Sequence, residues 1–85
     1  MGMDSFQSLA RLPKHEKAWV KTLRPLESQN LLARQLEEIG FVPGEQVQVL
    51  SKAWMGGDPM VVRVGQSTFA LRQAEAQLIE VTQEP

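Results

Sequence analysis

Residues 36–50, LEEIGFVPGEQVQVL, constrain the fold of this chain more than any other stretch. Leading into them, Leu32, Leu36 and Ile39 recur at i, i+4 and i+7 with Leu31 beside them, so one helical face is apolar. Ser28 is the expected N-cap, and Leu31 at N3 leaves no capping box. Gly40 stands at the C′ position, where left-handed backbone is cheap, and Phe41 at C″ can fold back on Leu36, which together make a Schellman stop. Pro43 prevents the helix from resuming, and Pro43 with Gly44 suits the two central positions of a type II turn. Val47 and Val49 then alternate with Gln46 and Gln48, so the hydrophobic period has become that of a strand.

The remaining segments repeat the strand period. Ala18, Val20 and Thr22 alternate with Trp19, Lys21 and Leu23 before Pro25 ends a first strand. Met60, Val62 and Val64 alternate with Val61 and Arg63, Gly65-Gln66 fits a two-residue type II′ hairpin, and TFALR carries Phe69 and Leu71 on one face. RQAEAQ has the composition and length of a single helical turn, and LIEVT closes the chain as a strand through Leu78, Ile79 and Val81. The order predicts a mainly β fold: a small SH3-like barrel of about five strands, with one helix between strands 1 and 2 and a short helical turn before the last strand. Barrel closure is what lets so few short strands hide their edges. Residues 16–85 make up this domain. Residues 1–15, with Phe6, Leu9 and Leu12 at helical spacing before a proline, form a poorly defined N-terminal extension, either a docked turn or a frayed tail.

At 85 residues the chain has room for one small domain. It has no cysteine, which excludes disulfides, thiolate metal sites and a thiol nucleophile, and it shows neither a signal-like apolar run nor a membrane-length one. It is expected in the cytoplasm without membrane insertion. Net charge is −1, but Arg11, Lys14, Lys17, Lys21 and Arg24 against Glu16 give residues 11–24 a charge of +4, leaving −5 elsewhere. Such a run either faces phosphates or an anionic surface, or is a solvated edge strand guarded by lysines.

Chemistry is sparse. The single histidine, His15, has no serine placed around it that suggests a triad, and Glu37 and Glu38 are helix neighbours that point about 100° apart. No enzyme is expected. No cofactor is required; His15 and Glu16 could hold a divalent ion such as iron or zinc weakly, shared between two copies of the chain, because structural zinc wants about four ligands. Residues 53–60, AWMGGDPM, lack the lysine and following helix of a phosphate loop and the several acids of a calcium loop. Gly56 and Gly57 suit a turn, Asp58 can bond nearby amides, and Pro59 is tolerated at a strand start. Trp54 and Met55 exceed what a turn needs: Trp54 either caps the barrel mouth or, with Met55 and Asp58, contacts a partner protein. Nucleic acid is not expected, because the central strands offer only Lys52 and Arg63 beside Phe69.

Over residues 18–82 in element order, and 31–81 in motifs, the chain resembles the FeoA family, small cytoplasmic proteins of bacterial ferrous iron transport. Leu36, Gly40, Phe41, Pro43 and Gly44, then Gly57, Asp58 and Pro59, then Leu71, Arg72, Glu75, Ala76 and Ile79 carry the resemblance. It implies an SH3-like barrel, no catalytic activity, and an accessory role beside the FeoB membrane transporter, binding its cytoplasmic side and regulating it or its GTP-binding domain. A homodimer is left open. Trp54 departs from the proline usual in the family before the Gly-Asp-Pro turn. The same motif also resembles the C-terminal domain of iron-dependent repressors, so a metal-responsive or nucleic-acid-binding regulatory module is the alternative.

Overall fold

The structure, a computed structural model, describes residues 7–53 and 58–84. Among them six strands form one antiparallel sheet: β1 (Gln7–Ser8), β2 (Lys17–Leu23), β3 (Gln46–Lys52), β4 (Met60–Val64), β5 (Ser67–Leu71) and β6 (Ile79–Thr82). Their order across the sheet is β1-β6-β2-β3-β4-β5. Helix α1 (Asn30–Glu38) links β2 to β3, and the single turn α2 (Gln73–Ala76) precedes β6. Two register shifts, between Val20 and Thr22 and between Val49 and Ser51, place bulges in β2 and β3. Bulges bend and twist a strand, which lets these short strands curl around one core.

Inward positions follow the expected alternation. Ala18, Val20, Val47, Val49, Met60, Val62 and Val64 are buried in one cluster, joined by Leu71, Ile79 and Val81. Past the β2 bulge the alternation fails, and Thr22 and Leu23 are both half-buried, Leu23 packing against the core. The Gly65-Gln66 turn is as expected: Gly65 has φ +58°, Gln66 does not share the positive sign, and Val64 pairs with Ser67.

Gly40 has φ +123°. The Phe41 amide donates to Leu36 O at 3.0 Å and the Gly40 amide to Glu37 O at 3.1 Å, the two bonds of a Schellman motif. Glu45 N donates to Val42 O at 3.1 Å and Gly44 has φ +94°, which fits the predicted type II turn. Phe41 is fully buried, which contributes roughly 2–3 kcal/mol, and its ring lies 6.3 Å from that of Phe69 in a tilted pair.

Two expectations are corrected, and one open alternative is decided. Residues 7–12 hold a docked turn and not a frayed tail, and ordered structure runs across the boundary expected at residue 16. Gln7 and Ser8 pair with Val81 and Glu80, and the 3₁₀ turn Leu9–Arg11 lets Leu9 and Leu12 bury completely. These two leucines add core volume that so short a chain needs, and β1 is the strand beyond the five expected. Ser28 does not cap the helix; it lies within a 3₁₀ turn, Glu27–Gln29, where Gln29 Oε1 accepts from Leu26 N at 2.8 Å. Ile39 is 39% exposed, because it is the C-cap residue where the backbone leaves helical geometry, and the buried positions are Ala33 and Leu36 with Leu32 half-covered.

Gly40→Ala tests the stop. A Cβ there would meet Val64 Cγ1 at 3.6 Å, ordinary contact, so the cost is backbone strain alone. Urea unfolding should show a loss of about 1–3 kcal/mol with the m-value unchanged.

Candidate functional site

The loop joining β3 to β4 is closed at its base by a bond from Ala53 N to Pro59 O of 3.0 Å. Trp54, Met55 and Gly57 lie outside the described residues. Asp58 is described, precedes Pro59 through a cis peptide bond, and is exposed. Its Oδ1 accepts from the backbone N–H of Gln73 at 2.9 Å. Gln73 opens α2, so the carboxylate accepts from an N–H of the first turn and lies at its positive end. Beside it, Glu75 Oε1 accepts from Arg72 N at 2.8 Å, half of a capping box. The bond expected to a nearby amide goes instead to one fifteen positions along the chain, and it ties Asp58 to the turn before β6.

His15 and Glu16 are exposed. His15 takes φ +71°, a region that histidine enters more readily than most residues. Its backbone is pinned to β3: His15 N donates to Val49 O at 2.7 Å, and Gln48 Nε2 donates to His15 O at 2.7 Å. The Glu16 carboxylate accepts from Gln83 Nε2. Among the described residues no group of three or more His, Cys, Asp or Glu is gathered as metal ligands.

The basic run does not form one surface, and β2 is not an edge. It lies between β6 and β3, because the C-terminal strand returns antiparallel alongside it. Lys21 falls at the bulge, with Nζ 3.6 Å from Glu80 Oε2, and Arg24 Nε donates to Glu80 Oε1. Glu80 is only 5% exposed, although it sits in an apolar strand. Sequence reasoning passed over it; the available signal was a lone acid inside LIEVT. Lys17 belongs elsewhere, opposite Gln48 on β3. Leu26 and Leu31 are also exposed, at 68% and 67%, beside and on the helix.

The curled antiparallel sheet, its crossing helix and the turn before the last strand define an SH3-like barrel. The sequence matches the FeoA domain family over residues 7–83, nearly the whole chain. The chain belongs to the FeoA family. It is similar to the FeoA of Stenotrophomonas maltophilia in a crystal structure complexed with zinc, at 41% identity and TM-score 0.80, covering 88% of each chain. Iron(II) transport protein A of Clostridium thermocellum is similar at 37% identity and TM-score 0.78, over 89% of this chain and 44% of that one. A manganese-dependent transcriptional repressor shares the fold at 20% identity and TM-score 0.76, over 95% of this chain and 43% of that one. No curated protein matches the chain.

Two substitution pairs test these contacts. Asp58→Ala should lower stability by up to about 1 kcal/mol, whereas Asp58→Asn, which keeps an acceptor oxygen, should lose less. Arg24→Met leaves the buried Glu80 with Lys21 as its one ion-pair partner among the described residues, and should cost about 2 kcal/mol by thermal or urea unfolding. Fully buried pairs lose more, but the Arg24 side chain is 54% exposed and water screens the contact. Glu80→Met removes the buried charge itself and should cost less than about 1 kcal/mol.

Proposed function

We propose that this protein is a non-catalytic accessory factor of ferrous iron uptake, acting in the cytoplasm by binding the FeoB transporter or its GTP-binding domain. Membership of the FeoA family over residues 7–83 carries this reading. The 41% identity to the Stenotrophomonas maltophilia protein, which has been proposed as a bacterial ferrous iron transport activating factor, supports it. Among the described residues, no helix is long and apolar enough to cross a membrane. Ferrous iron is the cargo of the transporter in this reading. The likeness to repressors stays at the level of fold and does not favour a regulatory module.

Trp54, Met55 and Asp58 are the contact residues in this proposal, and the Asp58 carboxylate also accepts from Gln73 N of α2. Tryptophan is the kind of anchor that dominates binding energy when a partner covers it. Binding of the chain to the transporter's cytoplasmic domain, measured by calorimetry, should weaken at least tenfold in Trp54→Ala, with the unfolding midpoint unchanged. If that variant instead unfolds, Trp54 is a core residue and the contact assignment fails.

A divalent metal enters only weakly. His15 and Glu16 supply two donors, and Glu16 already accepts from Gln83, so a filled site needs a second copy of the chain. Zinc at micromolar concentration should then raise the dimer fraction in sedimentation, and His15→Ala should abolish that rise.

A further inference from the structure

We infer that the groove across the outer face of β2, β3 and β4 is a binding site for a phosphoryl oxyanion. The groove has a volume of about 190 Å³ and is lined by Lys17, Gln46, Gln48, Arg63 and Gly65. Register places three of these in one row: Lys17 pairs with Gln48 on β3, and Gln48 pairs with Arg63 on β4. Directly paired residues share a face of the sheet. The neighbouring positions Ala18, Val47 and Val62 are buried on the other face, so this row points outward. Lys17 and Arg63 therefore flank a glutamine across two strand spacings, about 10 Å.

The donors are uncommitted or held in place. Unlike Lys21 and Arg24, which are spent on Glu80, neither Lys17 nor Arg63 makes an ion pair among the described residues. Gln48 is fixed by its bond from Nε2 to His15 O at 2.7 Å, and the amide keeps a second hydrogen. Gln46 is exposed on the same face, two residues along β3. Gly65 leaves the floor of the groove without a side chain; its own N–H is used by Gln46 O at 3.0 Å. Glu45 is a carboxylate at the rim, with Oε1 3.1 Å from where a Gly65 Cβ would stand. It limits affinity without filling the groove.

The donor set favours a tetrahedral anion over a carboxylate. One guanidinium fork satisfies a planar carboxylate. Here an Arg fork, a Lys point charge and glutamine amides come from three strands, which suits three or more acceptor oxygens arranged around a centre. The chain carries a net charge of −1, so attraction to an anion must come from this local row and not from overall charge.

This inference is independent of the transporter reading and is tested on the chain alone. Inorganic phosphate should shift the backbone amide signals of Gln46, Gln48 and Gly65 saturably in heteronuclear NMR. Arg63→Gln and Lys17→Gln should each weaken binding roughly tenfold. Lys14→Gln, an exposed cation outside the row, should leave it unchanged. Vesicles of phosphatidylcholine with phosphatidylglycerol form a second arm. Binding that depends on Lys17 and Arg63 in both arms assigns the phosphoryl group to a lipid headgroup as well as to solution, and binding to phosphate alone assigns a soluble source. The proposal fails if neither binds saturably, if acetate is as effective as phosphate, or if Lys14→Gln weakens binding as much as Arg63→Gln.

Discussion

The pairing of β2 with β6 joins segments from opposite ends of the chain, and the other contacts of the sheet depend on it. Val20 faces Val81 and Leu23 faces Ile79, so two inward rows meet in the centre of the core. Without that pairing β2 would be an edge, and β6, with β1 beside it, would be parted from the other four strands. Closing so long a loop costs entropy that grows only slowly with its length, and the apolar surface buried between the two strands offsets it. Glu80 and Arg24 lie on the same seam, joined by a charge-assisted bond beside the bulge. Arg24 N also donates to Leu78 O at 2.7 Å, so main chain and side chain hold the seam together.

A second linkage ties the helix to this sheet. The Schellman stop ends α1 on Gly40, and the following turn is hydrogen-bonded to β2 in both directions, from Gly44 N to Val20 O and from Val20 N to Glu45 O. Helix, turn and central strand are thereby one unit, with Leu36, Phe41 and Val20 meeting in the core. Asp58 makes the corresponding link on the other side of the barrel, between the β3–β4 loop and α2.

Much of the fold was legible because it is local. Gly40, Phe41, Pro43 and Gly44 specify a stop and a turn through their own backbone preferences, and the structure makes the predicted bonds among neighbours. The same holds for the Gly65-Gln66 hairpin, where the turn type sets the register of β4 and β5. The candidate site was less legible. Asp58 was read as a carboxylate bonding nearby amides, but its partner comes from α2, fifteen positions away. Glu80 was passed over because nothing in LIEVT announces that Lys21 on β2 and Arg24 just beyond it will converge on it.

The sequence by itself determined where the helix stops, the turns at Pro43-Gly44 and Gly65-Gln66, most of the inward alternation of the strands, and the motifs of the FeoA family, since all of these are written in short-range spacing. Only the tertiary structure decided that β2 is interior, that residues 7–12 belong to the core, and that the basic run divides. Lys21 and Arg24 turn to Glu80, while Lys17 joins Gln48 and Arg63 on the outer face. The physical reason is that strand order and register are set by contacts between distant segments, and a one-residue shift of register would send each side chain to the opposite face.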